Sequence, residues 1–143
     1  MTKVLAKIEI NAPPNKIYKA LTDLSLNPKW NPTVQEIIEI EPDKRSVKSK
    51  TGDYSFTVID RSENEKFICK AESEDFNSFG YSLKAKGDIT EVSSWIDYKI
   101  VEHEKILQRG IKYILGGLKG FVEFLEDGGD PDEFDRKQIL VKP

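Results

Sequence analysis

The sequence predicts an α+β fold of one curved antiparallel sheet and a long C-terminal helix, with short helices after the first strand. Two observations carry that prediction. Between Val34 and His103, apolar and polar residues alternate in short runs separated by turn chemistry, the period-2 signature of half-buried strands. From about Glu104 the apolar period lengthens to 3.6 for roughly 22 residues, the mark of an amphipathic helix.

Taken in order, "KVLAKIEI" (3–10) places Val4, Ala6, Ile8 and Ile10 on one face, opposite Lys3, Lys7 and Glu9, and reads as a strand. "NAPPNKIYKALTDL" follows, with Pro13 and Pro14 where a helix starts and Ile17, Leu21 and Leu24 at helical spacing. "SLNPKWNP" holds two prolines and predicts a turn or a single helical turn presenting Trp30. Six strand-like runs come next: "TVQEIIEI", "RSVKSK", "YSFTVIDR", "KFICKAES", "SFGYSLKAK" and "ITEVSSWIDYKIVEH". Their connections, among them "EPDK", "TGD", "SENE" and "GD", are short, so successive strands pair antiparallel as a meander.

Strand parity picks out the inward face. Tyr54, Phe56 and Val58 share one side, as do Phe67, Cys69 and Ala71, then Phe79, Tyr81, Leu83 and Ala85, then Val92, Ser94, Ile96, Tyr98 and Ile100. Asp60 continues the first of these sets. The long helix ends at "EDGGDPD", where Gly128 suits the terminating position and Pro131 prevents continuation. Residues 127–143 are expected to form a loosely packed tail of a single domain spanning 1–143.

The helix "RGIKYILGGLKGFVEFL" carries Gly110, Gly116, Gly117 and Gly120, although each glycine is about 1 kcal/mol worse than alanine inside a helix. Three explanations compete. The backbone presses closely on its neighbours there with a bend at Gly116 and Gly117, or the missing side chains leave volume for an apolar guest between helix and sheet, or the helix is broken or simply tolerates surface glycines. The first two can both hold. A phosphate loop is excluded, since the glycines fall within the helical pattern and no Gly-Lys-Ser/Thr follows.

Bulk properties exclude several functions. The chain has 143 residues, with 22 basic and 25 acidic side chains and a formal charge of −3. Its basic residues are scattered rather than clustered with aromatics, so nucleic acid is not an expected partner. No apolar run approaches the roughly 18 residues of a membrane span, and the N-terminus alternates instead of forming a signal-peptide block, so a cytoplasmic protein is expected. Cys69 is the only cysteine and His103 the only histidine, so neither a disulfide within the chain nor a metal or cofactor site is expected.

The stretch "NAPPNKIYKALTDLSLNPKWNPTV" resembles the START-like, or SRPBCC, superfamily, which includes polyketide cyclases and dehydratases, lipid-transfer domains and plant allergen-type carriers. The resembling positions are Ala12, Pro13, Ile17, Tyr18, Leu21 to Asp23, Pro28, Trp30 and Val34, and "GDITEVSSWIDYKI" resembles the family's final strand. The resemblance implies a helix-grip fold with an apolar cavity between sheet and helix. The expected partner is accordingly a small hydrophobic molecule, lipid-like or polyketide-like, held by Trp30, Phe56, Val58, Phe79, Tyr81, Ser94, Ile96, Tyr98, Gly110, Tyr113 and Gly117. Aromatic rings would supply contact area, glycines volume, and Ser94 with the tyrosine hydroxyls polar orientation. Trp30 and its proline-flanked turn are expected to cover the entrance.

Alternatives stay open at this level. A cyclase or dehydratase would use the same cavity, with Asp60 as the candidate general base. His103 reads as an exposed residue at the strand-to-helix junction, and Cys69 as inert core. Trp95 falls on the outward parity and is a candidate surface for a homodimer or for a chaperone-associated interaction, as in relatives resembling heat-shock-protein activators.

Overall fold

The computed structural model describes residues 2–50 and 52–136. It shows a helix-grip α+β fold. Strand β1 (Lys3–Ile10) leads into helix α1 (Pro14–Thr22) and the single turn α2 (Asn27–Trp30). Six strands follow: β2 (Val34–Glu41), β3 (Lys44–Ser49), β4 (Tyr54–Ser62), β5 (Lys66–Glu72), β6 (Phe76–Lys86) and β7 (Ile89–Tyr98). A 3-10 turn over Val101–His103 then opens helix α3 (Glu104–Glu126).

All pairings are antiparallel, in the order β1-β7-β6-β5-β4-β3-β2. Because β1 and β2 are the two edges, the α1–α2 connection has to cross from one side of the sheet to the other, and it packs on α3 as it does so. The hairpins turn where the sequence places polar or glycine residues: Asp43, Asn64 and Gly87 all have φ near +65°, a region these residue types tolerate.

Cross-strand register turns the alternating sequence into one apolar surface. Val58, Cys69, Phe79, Ile96 and Val4 form a row across five strands, and Phe67, Tyr81, Ser94 and Ala6 form the next row. Helix α3 runs along the free edge of β1 and covers it. The Gln108 amide donates to the Leu5 carbonyl at 2.8 Å, Lys119 Nζ donates to the Glu9 carbonyl at 2.7 Å, and Glu123 accepts from the Asn11 amide at 2.8 Å. Such contacts occupy backbone groups that an edge strand would otherwise offer to another chain.

The structure departs from the sequence reading at three elements. β7 ends at Tyr98 rather than continuing to His103; Lys99 still donates to the Asp75 carbonyl, but the backbone then tightens, with the His103 amide bonded to the Ile100 carbonyl. Within β4 a bulge lies between Val58 and Asp60, so Asp60 pairs with Ile68 on the outer face rather than following Phe56 and Val58 inward. The described part of the tail is not loose. After Gly128 (φ 92°) stops α3, Phe134 packs edge-on against Phe121 with ring centroids 5.3 Å apart, and Lys29 pairs with Asp132 at 2.5 Å. Arg136 Nη1 lies 2.5–2.7 Å from the carbonyl oxygens of Pro28, Asn31 and Val34. Residues 137–143 of the expected tail lie outside the described residues.

Candidate functional site

Between the inner face of the sheet and the N-terminal half of α3 lies a cavity of about 330 Å³, near the lower end of the volumes that hold small molecules. Its walls come from β2–β7, the end of α1, the α2 turn and α3. Phe56 and Phe79 meet edge to face at 5.2 Å, and Phe76 extends the cluster to Tyr54 at 5.0 Å. Opposite them α3 contributes Leu107, Ile111 and Ile114. The rim is formed by Asp75, Phe76, His103 and Ile106, of which Ile106 is 64% exposed, as suits an apolar side chain at an opening.

Seven of the residues expected to hold a ligand line this space: Trp30, Phe56, Phe79, Tyr81, Ser94, Ile96 and Gly110. A Cβ added at Gly110 would meet nothing within 4 Å, so this glycine contributes volume. Trp30, however, is a wall and not a lid. Its ring is fully buried, and Nε1 donates to the Ala20 carbonyl at 2.9 Å. Ser94 is already engaged, its hydroxyl donating to the Gly80 carbonyl at 3.1 Å.

Four expected ligand residues lie elsewhere. Val58 is buried in the core and does not line the cavity. Tyr98 packs with Val4 and Ile111 in a separate cluster and donates its hydroxyl to Glu104 at 2.6 Å, a bond that raises its pKa. Tyr113 points away from the sheet and is 47% exposed. Gly117 serves close packing: a Cβ there would collide with the Trp30 carbonyl oxygen and sit 3.1 Å from the Pro32 ring. The proposed base Asp60 is also outside, held at 2.9 Å by Lys66 on the outer face. Trp95 is not freely presented, because its ring lies over Gly80, where a Cβ would come within 2.8 Å of it, and Lys3 Nζ sits 4.7 Å from the ring centroid.

Sequence reasoning missed several polar groups in the cavity wall or rim, among them Arg45, Asn27 and His103. Arg45 on β3 is 8% exposed and lines the cavity. The signal was available in strand parity, since Arg45 lies two residues before Val47 and therefore on the same inward face. Asn27 lines the cavity too, and its Oδ1 is buried without a hydrogen-bond partner. His103 belongs to the rim, with Nδ1 3.3 Å from Asp75 Oδ1; the backbone tightening that brings it there is not encoded in any periodicity.

The electrostatics favour hydrogen-bond donation. Burial pushes the Tyr54 hydroxyl up to about 12 and that of Tyr81 higher still, so both remain protonated donors at neutral pH. Burial likewise pushes the Cys69 thiol up to about 12, leaving it a poor nucleophile. Among the described residues no group of three or more His, Cys, Asp or Glu side chains is placed to hold a metal ion, and no helix is long and apolar enough to cross a membrane.

Residues 1–119 match a family described as polyketide cyclase/dehydrase and lipid transport. Among solved structures, the chain is similar to a START superfamily protein from Mycobacterium smegmatis, with 18% identity, a TM-score of 0.77, and 86% of this chain and 98% of that one covered. It is also similar to the Aha1 dimer from Colwellia psychrerythraea, with 19% identity, a TM-score of 0.74 and coverage of 86% and 97%. CalU16 from Micromonospora echinospora gives 14% identity, a TM-score of 0.69 and coverage of 97% and 81%. No curated protein sequence matches the chain. At these identities the structural likeness speaks for the fold alone.

Proposed function

The chain belongs to the polyketide cyclase/dehydrase and lipid transport family, and from that premise we propose that it binds and carries a small hydrophobic molecule in the cavity between the sheet and α3. One observation carries the reading. The apolar faces of sheet and helix, which in a filled core would interdigitate, stand apart over about 330 Å³, and the helix places a glycine with no neighbour at that gap. A void of this size forgoes the dispersion contacts its lining would make in a filled core, so an apolar guest gains contacts as well as leaving water.

Native mass spectrometry of the gently purified protein, followed by organic extraction, tests this directly. The expected result is a stoichiometric adduct or, after stripping, saturable uptake of an apolar fluorescent probe. An empty mass together with no probe uptake overturns the reading.

A catalytic reading draws on a different observation, the His103–Asp75 pair at the rim, where a carboxylate orients an imidazole toward a cavity. A cyclase or dehydratase would alter the extracted molecule on reincubation, and His103→Asn would abolish the change while leaving uptake intact. The carrier reading predicts that the molecule is recovered unchanged from both proteins. An interaction role around Trp95 draws less support, since that ring is already packed on its own sheet.

A further inference from the structure

Arg45 is a buried, charged side chain lining the cavity, and an apolar guest leaves its chemistry unanswered. The residue is more than nine-tenths buried, its Nε has no hydrogen-bond partner, and among the described residues it has no ion pair. The carboxylates that line the same cavity are engaged elsewhere. Asp23 accepts from the Ser25 amide and hydroxyl at 3.0 and 2.7 Å, and Asp75 faces His103. A guanidinium stays charged inside proteins, and an unpaired buried charge is strongly unfavourable, so the cavity wall presents a positive charge that no carboxylate among the described residues answers.

Its surroundings do not supply one. Arg45 lies in register between Phe56 on β4 and Glu39 on β2, and the Glu39 side chain is exposed and forms no ion pair with it. The Tyr54 and Tyr81 hydroxyls lining the cavity make no hydrogen bond among the described residues, and burial keeps them protonated, so they supply no negative charge. Asn27, which also lines the cavity, has a buried Oδ1 without a hydrogen-bond partner. A fork of guanidinium donors suits a planar oxyanion, which it can bind in bidentate fashion.

We propose that the guest is an anionic amphiphile: an apolar body lying against Phe56, Phe79 and Ile114, with a carboxylate end group bound by Arg45. This deepens the carrier reading and rests on it. The anion removes the penalty of the unpaired charge, so its contribution is larger than that of a hydrogen bond added to a satisfied site. Selectivity follows from the same physics, because a neutral guest of the same shape leaves the guanidinium buried and unpaired.

The test compares dodecanoic acid with dodecanol by isothermal titration calorimetry at neutral pH, on the stripped protein and on Arg45→Gln and Arg45→Met. The expected result is that the wild-type protein binds dodecanoate about tenfold or more tightly than dodecanol, and that both substitutions abolish the preference while retaining dodecanol binding. In the wild-type protein, NMR of the Arg45 Nε–H should show a downfield shift with dodecanoate and none with dodecanol, a readout that holds even where a variant fails to fold. Equal binding of acid and alcohol, or an unchanged preference in folded variants, overturns the anionic guest and leaves the apolar cavity standing. Failure of both probes to bind overturns the anionic guest together with the carrier reading.

Discussion

Helix α3 behaves as two helices joined end to end. In its C-terminal half Leu115, Leu118, Phe121 and Val122 are all at most 1% exposed and interlock with the core and, through Phe121, with Phe134 of the following segment. In its N-terminal half Leu107, Gly110 and Ile114 face a void, and Ile106 reaches solvent at its rim. Two glycines mark the division. Gly117 lets the backbone of Trp30 approach until no Cβ fits between them; Gly110, seven residues earlier, has nothing near it. The same residue type closes one end of the molecule and opens the other. A glycine in a helix therefore has no meaning until its neighbours are known.

The sharpest way to break the contrast is at the sealed end. Trp30 fills the space between α1 and α3 with its ring wholly buried and its indole N–H satisfied by Ala20. Trp30→Ala should lower stability by about 3–5 kcal/mol, the range for deleting a large buried aromatic, as read from urea unfolding. A loss below about 1 kcal/mol would mean that this end is no better packed than the cavity.

Gly117→Ala comes next. Helix propensity alone would favour the change by about 1 kcal/mol, but the added methyl has to displace the Trp30 carbonyl, a piece of backbone. Overpacking of this kind typically lowers stability by about 1–3 kcal/mol. Thermal unfolding that shows Gly117→Ala equal to or above the wild type in stability would remove the close-approach explanation.

Much of this architecture is legible in the sequence because it rests on local rules. The period-2 runs fix seven strands and their inward residues, the proline pair at 13 and 14 starts α1, and Gly128 stops α3 where the apolar stripe ends. The site is less legible, for reasons that differ by residue. Strand parity misplaces Asp60 because one extra residue in β4 reverses it, and a bulge leaves no reliable mark in a single sequence. Tyr98 and Tyr113 were misassigned because an inward or flanking position on one element does not say which of two clusters, or neither, the side chain joins. Arg45 was readable, two residues before Val47, but a charged residue on an alternating strand is ordinarily assigned to water. Gly110 and Gly117 are indistinguishable without the partner across the gap, which for Gly117 is a turn lying more than eighty residues earlier in the chain.

Gly110→Ala is the smallest of these changes and separates packing from function. The position is helical, without the positive φ that would penalise a side chain, and it has open space where the methyl would go. The substitution should raise stability by about 0.4–1 kcal/mol, chiefly by restricting the unfolded chain. The methyl also projects toward the cavity, and Gly110→Leu extends further into it. Uptake of an apolar probe should therefore fall modestly in Gly110→Ala and steeply in Gly110→Leu, while the melting temperatures of both stay at or above that of the wild type. A void kept open for a guest predicts this opposition, because evolution has then left stability unused at a position where a larger side chain would fit. If Gly110→Leu melts well below the wild type, the space is only apparent and closes as the chain moves. If it is stable and still takes up the probe undiminished, the guest lies away from this face of the helix, and the contrast between the two glycines is one of packing alone.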